Sequence, residues 1–250
     1  MASIPTIEPM DYEEFRSLYE EDQRIPMSSA LDKTAKIAEE LPQSAVFGSL
    51  TSHPDIYGVN KLQRPTDRTV DLVTTEEEIA EIAEEHDVWT PQDNCYFFDH
   101  NGWAVGLMAV EQDVFESNTY DEPVRISKGD LESAKDIETE AGTLSVLEPK
   151  INYGMKARRY TESVLEKDYV KTNDLADMAS MSMKQARKGD NYNSSELAEA
   201  LNKYTEGRMP LEKWIEDTQI RTDAHLNTDE WECLEEELNE IKEQYKAIGN

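Results

Sequence analysis

The sequence has few cysteines and no long apolar run, and each absence excludes a class of protein. Cys95 and Cys233 are the two cysteines among 250 residues, and they lie far apart in unrelated surroundings. We therefore expect neither a disulfide framework nor a paired metal knuckle. Nowhere do eighteen apolar residues follow one another, and the N-terminus shows no basic segment followed by an apolar one. We expect no membrane partner and a soluble protein.

Basic residues are scarce as well. The chain has 25 Lys and Arg against 54 Asp and Glu, which gives a formal net charge of -29. Non-specific DNA binding is not expected, because DNA is held mainly by Lys and Arg. The acidic runs carry apolar residues at helical spacing, which indicates a folded carboxylate-rich surface and not a disordered chain.

A carboxylate-rich surface is typical of proteins that work in high salt, where self-repulsion is screened within a few ångströms. We therefore expect the cytoplasm of a halophile, in our interpretation an archaeon, or the virion of one of its viruses. Lysine outnumbers arginine here, whereas halophilic surfaces are usually poor in lysine. The alternative is an acidic mimic of nucleic acid.

The pattern of apolar residues predicts an α+β protein, with a small mixed sheet followed by a helical C-terminal region. Helices are predicted over 11–23, 29–42 and 75–87, the last capped by Thr74 or Thr75, and a hairpin is predicted around Asn101-Gly102, whose residues suit left-handed turn positions. Further short strands are predicted at 44–50, 69–75, 123–127 and 142–149, with an acidic stretch of helical spacing between the last two. From about residue 150 the pattern is helical throughout. We predict an N-terminal extension over 1–28, an α/β domain over 29–190 and a helical region over 191–250.

Two stretches could carry chemistry. "FGSL" at 47–50 predicts a strand that runs into a tight Gly-Ser turn, and "RTVDLV" at 68–73 predicts a strand that bears a carboxylate. A glycine turn lets backbone N–H groups approach phosphate oxygens, since no Cβ stands in the way. Carboxylates on neighbouring strand positions of one face can hold a divalent metal that bridges phosphates.

In the order of its motifs the chain resembles the nucleotidyltransferase superfamily, in particular the minimal nucleotidyltransferases and AbiEii-type proteins of toxin–antitoxin and phage-defence systems. "FGSL" resembles the glycine turn, "RTVDLV" the Arg-Thr-x-Asp-x-Asp strand, and "NGWAVGLM" the strand of the third carboxylate. Downstream, "LSVLEPKINYGMKARRY" and "KTNDLAD" resemble the element in which a proline and a lysine precede a Lys-Asp-x-x-Asp segment. The resemblance spans about residues 30 to 180.

The sequence departs from the family pattern at the acids. The two neighbours of Asp71 at the required spacing are Thr69 and Val73, and the third acid is replaced by Val105 or Gly106. Carried over by the resemblance, Asp71 is the catalytic carboxylate and the metal ligand, and Gly48, Ser49, Thr69 and Lys156 bind the nucleotide. The implied cofactor is Mg²⁺ or Mn²⁺, and the implied substrate is an NTP.

Two functions follow from these observations. The first is transfer of a nucleoside monophosphate from an NTP to RNA or protein, or descent from an enzyme that did this and lost its metal site. The second is a non-catalytic structural or interaction protein, for example a virion assembly component, with a protein partner or a second copy bound through the C-terminal helices. In the second case Asp71 is an ordinary strand carboxylate, Gly48-Ser49 an ordinary turn and the "KARR" run at 156–159 a solvated face.

Overall fold

The computed structural model describes residues 24–92, 95–114, 119–166, 172–183 and 192–249. The helix predicted over 11–23 and most of the predicted extension over 1–28 lie outside these residues. Within them, the chain folds into two compact units. Unit 1 holds the described residues of Met1–Leu50, Arg64–Glu116 and Pro123–Glu148, and unit 2 holds those of Thr51–Gln63, Ser117–Glu122 and Pro149–Asn250.

Unit 1 is built on a mixed seven-stranded sheet. The strands are β1 (Ala45–Val46), β2 (Thr69–Thr74), β3 (Val88–Gln92), β4 (Cys95–Asp99), β5 (Ala104–Ala109), β8 (Lys135–Thr139) and β9 (Gly142–Val146). Their order across the sheet is β3-β4-β5-β2-β1-β9-β8. The pairs β2–β5 and β1–β9 are parallel and the other pairs are antiparallel. Two further short strands, β6 (Asp113–Val114) and β7 (Val124–Arg125), pair with each other.

Among the described residues of unit 1 there are three helices: α1 (Met27–Glu40), α2 (Glu76–Glu85) and the short α3 (Lys128–Glu132). α2 begins where the sequence predicts, because the Thr75 hydroxyl accepts a hydrogen bond from the Glu78 N–H, which satisfies one of the free N–H groups of the first turn. Ile37 of α1 and Ile82 of α2 line a cavity of about 250 Å³ together with Phe98 of β4. Successive strand side chains point to opposite faces, so these helices cover the face of the sheet that Phe98 points to.

The predicted hairpin is present between β4 and β5. Asn101 and Gly102 both have positive φ angles, of 57° and 78°, which the tight turn requires. The fold class is therefore confirmed: the described residues form a mixed α+β structure with a helical region after the sheet.

The acidic stretch before residue 142 differs from its prediction. Its helical spacing predicts a helix, but a single short helix, α3, is followed by strand β8 at the edge of the sheet. β8 alternates half-buried and exposed residues, and its exposed positions are Asp136 and Glu138. Charges on an edge strand discourage pairing with other chains, and here they also give the sequence the composition of a surface helix.

Unit 2 is helical. Its helices are α4 (Pro149–Glu166), α5 (Thr172–Ser182), α6 (Ser194–Thr205), α7 (Leu211–Thr222) and α8 (Thr228–Ile248). α4 packs against α5 and α6, and α6 packs against α8. The chain passes from unit 1 to unit 2 for the last time between Glu148 and Pro149, and α4 and α5 belong to the same unit as the later helices. The division of the chain at residue 190 stays a prediction.

The apolar stripe of α8 is used inside unit 2. Leu234, Leu238 and Ile241 are completely buried and Tyr245 nearly so. The backbone N–H of Met209 also donates a hydrogen bond to the Tyr245 hydroxyl at 3.1 Å. Among the described residues, no helix combines the length and the apolar character that crossing a membrane demands.

Candidate functional site

The glycine turn and the acid-bearing strand meet in unit 1. β1 is followed by a short 3-10 helix over Gly48–Ser52, and the Phe47 N–H donates a hydrogen bond to the carbonyl of Asp71 at 3.1 Å. This bond continues the β1–β2 ladder by one residue, so the turn begins directly beside Asp71. Gly48 has a φ of 79°, a left-handed conformation that favours glycine.

The Asp71 side chain lies against the Gly48 backbone. A Cβ placed on Gly48 would collide with Asp71 Oδ2 and would stand 3.2 Å from the Asp71 Cβ and Cγ atoms. Any side chain at position 48 would therefore displace the carboxylate. Ser49 follows Gly48 and is half-buried, as is Asp71. The structure thus brings together Gly48, Ser49 and Asp71.

The position opposite Asp71 on the neighbouring strand is a glycine. Asp71 of β2 is the register partner of Gly106 of β5, and a Cβ placed on Gly106 would lie 3.3 Å from Asp71 Oδ1 and 2.8 Å from Phe97 Cε1. Of the two positions predicted for a third acid, Gly106 is therefore the one that faces Asp71. A carboxylate side chain would fit there only if the Phe97 ring moved.

The positions two residues away on β2 supply no second carboxylate. Val73 is completely buried, and the half-buried Thr69 donates its hydroxyl to the carboxylate of Asp67. Among the residues that the structure describes, no three His, Cys, Asp or Glu side chains are grouped so that they could hold a metal ion. A two-metal site does not fit these residues, while a single ion shared between Asp71 and substrate phosphates is compatible with Mg²⁺ preferences.

The charge of Asp71 on β2 acts on a thiol of β4, two strands away in the sheet. Burial raises the pKa of the Cys95 thiol to about 12, and the Asp71 carboxylate acts on that pKa in the same direction. Cys95 lies on β4, two residues from Phe97, and therefore on the same face of the sheet. A reactive thiolate is not expected beside Asp71, because both burial and the Asp71 charge disfavour the ionised form of Cys95.

Lys156 belongs to unit 2, where its ammonium group is buried. Lys156 is 2% exposed, and its Nζ donates to Asp177 Oδ2 at 2.7 Å and lies 3.9 Å from Asp174 Oδ1. The Ser52 hydroxyl donates to the other oxygen of Asp177 at 2.9 Å. The predicted phosphate ligand is thus already engaged by two carboxylates.

The rest of the "KARR" run is also held inside unit 2. Arg159 forms an ion pair with Asp174. Arg158 is 3% exposed, its guanidinium carbon lies 3.8 Å from the centre of the Tyr120 ring, and its Nη2 donates to the carbonyl of Glu122 at 2.7 Å. The run is therefore not a solvated face. It connects α4 to α5 and to the segment that contains Tyr120.

One feature beside Asp71 does not follow from the sequence motifs. Phe97 of β4 and Trp89 of β3 stack with ring centroids 5.2 Å apart and an interplanar angle of 14°. Both rings are half-buried, and they pack against Ala104. β3 is not predicted from the sequence, so the register that brings Trp89 next to Phe97 could not be predicted either.

Two solved structures are similar to this chain. The antibiotic-resistance factor ANT(2'')-Ia matches with a TM-score of 0.45 and 10% sequence identity, and the match covers 76% of this chain and 97% of that one. An antigenic nucleotidyltransferase-like protein from Paracoccidioides brasiliensis matches with a TM-score of 0.38 and 15% identity, over 78% of this chain and 95% of the other. Similarity of this extent assigns neither a family nor an activity. No family model matches the sequence, and no curated protein is significantly similar to it.

Proposed function

We propose that this chain is a nucleotidyltransferase-type protein that binds a nucleoside triphosphate beside the Gly48–Ser49 turn and has lost most of its capacity for nucleotide transfer. The observation that carries the proposal is the contact between the Asp71 carboxylate and the Gly48 backbone, opposite a glycine on β5. The Gly48-Ser49 turn and Asp71 lie together, whereas the positions of the other two acids of the motif are occupied by Val73 and Gly106.

The binding half of the proposal rests on the turn. Gly48 has no Cβ, and the Asp71 carboxylate occupies the space where one would stand, so phosphates that share an ion with Asp71 would lie close to the backbone of this turn. The phosphates would be repelled by Asp71 unless a cation lay between them. Mg²⁺ and Mn²⁺ are usually bound by one or two carboxylates together with substrate phosphates, so Asp71 would be the protein ligand of such an ion. Thr69, two residues before Asp71 on the same face, borders this site.

The second half of the proposal concerns the rate of transfer. Two-metal phosphoryl chemistry requires carboxylates that clamp both ions, so that the attacking and leaving oxygens are both stabilised. Asp71 alone supplies one ligand, since Val73 is an apolar residue and Gly106 has no side chain. We therefore expect nucleotide binding that depends on a divalent cation and turnover far below about 1 per second, the lower end of ordinary enzymes.

Nucleotide binding tests the first half. Titration calorimetry with ATP in molar KCl should give binding with Mg²⁺ or Mn²⁺ and none with EDTA. Asp71→Asn should weaken the Mg²⁺-dependent binding about tenfold, equivalent to about 1.4 kcal/mol. Asp99→Asn is the matched control, because Asp99 is an exposed carboxylate on β4 whose oxygen accepts the Gly102 N–H, a bond that an amide oxygen keeps. Equal ATP affinity in wild type and Asp71→Asn would contradict the proposal.

A transfer assay tests the second half. The protein is incubated with an NTP labelled on its α-phosphate, divalent metal and candidate RNA or protein acceptors. We expect at most slow labelling, and any labelling should disappear in Asp71→Asn and persist in Asp99→Asn. Rapid labelling that survives in Asp71→Asn would show that another part of the chain carries the activity.

The competing proposal, a structural protein that binds its partner through the C-terminal helices, has less support. The α8 residues that would form such a surface are buried within unit 2. The acceptor and a high-salt setting remain parts of the proposal that rest on the motif resemblance and on the net charge, respectively.

A further inference from the structure

Four neighbouring strands place one residue each in a single row across the sheet of unit 1. Trp89 of β3 pairs with Phe97 of β4, Phe97 pairs with Gly106 of β5, and Gly106 pairs with Asp71 of β2. Directly opposed residues on adjacent strands point to the same face. The aromatic pair and the Asp71 carboxylate therefore share one face of the sheet.

The side-chain positions agree with this register. The point where a Cβ of Gly106 would stand is 2.8 Å from Phe97 Cε1 and 3.3 Å from Asp71 Oδ1. The Phe97 ring and the carboxylate thus approach each other across Gly106, which has no side chain to separate them. Trp89 then extends the aromatic surface to the edge strand β3.

Along this row, Asp71 lies between the Gly48 turn and the two aromatic rings. The Gly48 turn lies beside Asp71 on the β1 side, and the two rings lie on the β5 side. A nucleotide whose phosphates are held at the turn would therefore have the aromatic surface on the far side of the carboxylate. Stacking a base on aromatic side chains does not require a basic surface, because every base has a π-face. This suits a chain with so few Lys and Arg.

We propose that Trp89 and Phe97 form a stacking surface for a nucleobase next to the Asp71 site. The proposal rests on the proposed nucleotide binding and adds to it the part of the ligand that the motifs leave unassigned. The base can belong to the bound NTP or to the end of an acceptor strand, and both would stack in the same way. Recognition through ring stacking tolerates all four bases.

Ligands that separate the ring from the phosphates test this proposal. Binding of ATP, tripolyphosphate, adenosine and a short oligoadenylate is measured by calorimetry with Mg²⁺ in molar KCl, and quenching of tryptophan fluorescence is followed in parallel. Trp89→Leu should weaken binding of the base-containing ligand about 5- to 150-fold, while tripolyphosphate binding stays unchanged. Trp89→Phe keeps an aromatic ring and should retain most of the affinity, but it should lose the quenching signal.

A remote tryptophan provides the control. Trp231 is half-buried on α8 in unit 2, so Trp231→Leu should bind every ligand as the wild type does.

The outcomes for Trp89→Leu identify the stacked base. If the variant binds only oligoadenylate more weakly, the stacked base is that of the acceptor; if it binds ATP more weakly, the stacked base is that of the NTP. Unchanged binding of all base-containing ligands in Trp89→Leu, or an equal loss for tripolyphosphate, overturns the stacking surface. A wild type that binds neither tripolyphosphate nor ATP, yet shows Trp89 quenching by adenosine, would overturn the proposed function and keep the stacking surface.

Discussion

Among single residues, Cys95 is a thiol whose ionisation is opposed by burial and by the Asp71 carboxylate. Burial is the larger cause and the Asp71 carboxylate the smaller cause of a Cys95 pKa of about 12. At pH 8 a thiol with that pKa is ionised in about one molecule in ten thousand. Cys233, by contrast, is exposed on α8. The two cysteines of the chain should therefore differ widely in reactivity.

We predict that a thiol reagent at pH 8 modifies Cys233 quickly and Cys95 only very slowly in the native protein. The rate at Cys95 should rise about tenfold per pH unit below its pKa, because the thiolate is the reacting form. Asp71→Asn should accelerate the reaction a few-fold, since it removes the smaller of the two causes. The rate is measured in a Cys233→Ser background, with Asp99→Asn as the control. A Cys95 rate that is insensitive to Asp71→Asn would show that the carboxylate does not influence the thiol.

Among secondary-structure elements, the packing of α4 against α5 depends on a buried ion pair. Lys156 and Asp177 are each at most 2% exposed, and they are joined at 2.7 Å. Removal of one partner leaves the other charge buried without its counterion, which typically costs about 3–5 kcal/mol. A surface pair such as Lys246 with Glu243, at 3.2 Å and 46% and 69% side-chain exposure, typically contributes about 0–1 kcal/mol.

We therefore predict that Lys156→Met lowers the free energy of unfolding by about 3–5 kcal/mol, while Lys246→Met changes it by less than about 1 kcal/mol. The measurement is denaturant unfolding followed by circular dichroism. The double variant Lys156→Met/Asp177→Leu should be more stable than Lys156→Met alone, because it removes the carboxylate that the single variant leaves buried without its counterion. A Lys156→Met protein that is as stable as Lys246→Met would contradict a structural role for the pair.

The secondary-structure elements that the sequence could predict are those with local signals. α2 was predictable because its cap, Thr75, and its acidic first turn are local signals, and the β4–β5 hairpin was predictable from Asn101-Gly102. β8 was not, because its exposed residues are acidic and its strand pairing is made with β9 at the edge of the sheet. The neighbourhood of Gly48 and Asp71 could be predicted from motif order. The place of Trp89 could not, since it depends on the register of a strand pair that includes a bulge.

For the whole molecule, the net charge of -29 should make stability depend on salt. Repulsion among carboxylates destabilises the compact state, and at 1 M salt it is screened over about 3 Å. We predict that the melting temperature rises between 0.1 M and 2 M KCl, as measured by scanning calorimetry. Sucrose solutions provide the control for general exclusion effects, which raise stability without screening charge. A melting temperature that is unchanged or lower in 2 M KCl would contradict adaptation to high salt.

The division of the chain between its two units determines when each unit can fold during synthesis. β1 lies inside the sheet between β2 and β9. The edge of β1 that faces β9 stays unpaired until Val146, the partner of Val46, has been synthesised. Unit 2 also takes up 51–63 and 117–122, which are made long before α4. A nascent chain that emerges from the ribosome at about 5–20 residues per second thus carries unpaired strand edges for seconds. No single cut in the chain separates the two units: unit 1 has all of its strands once Glu148 has emerged, whereas the early segments of unit 2 must wait for the helices that follow Pro149.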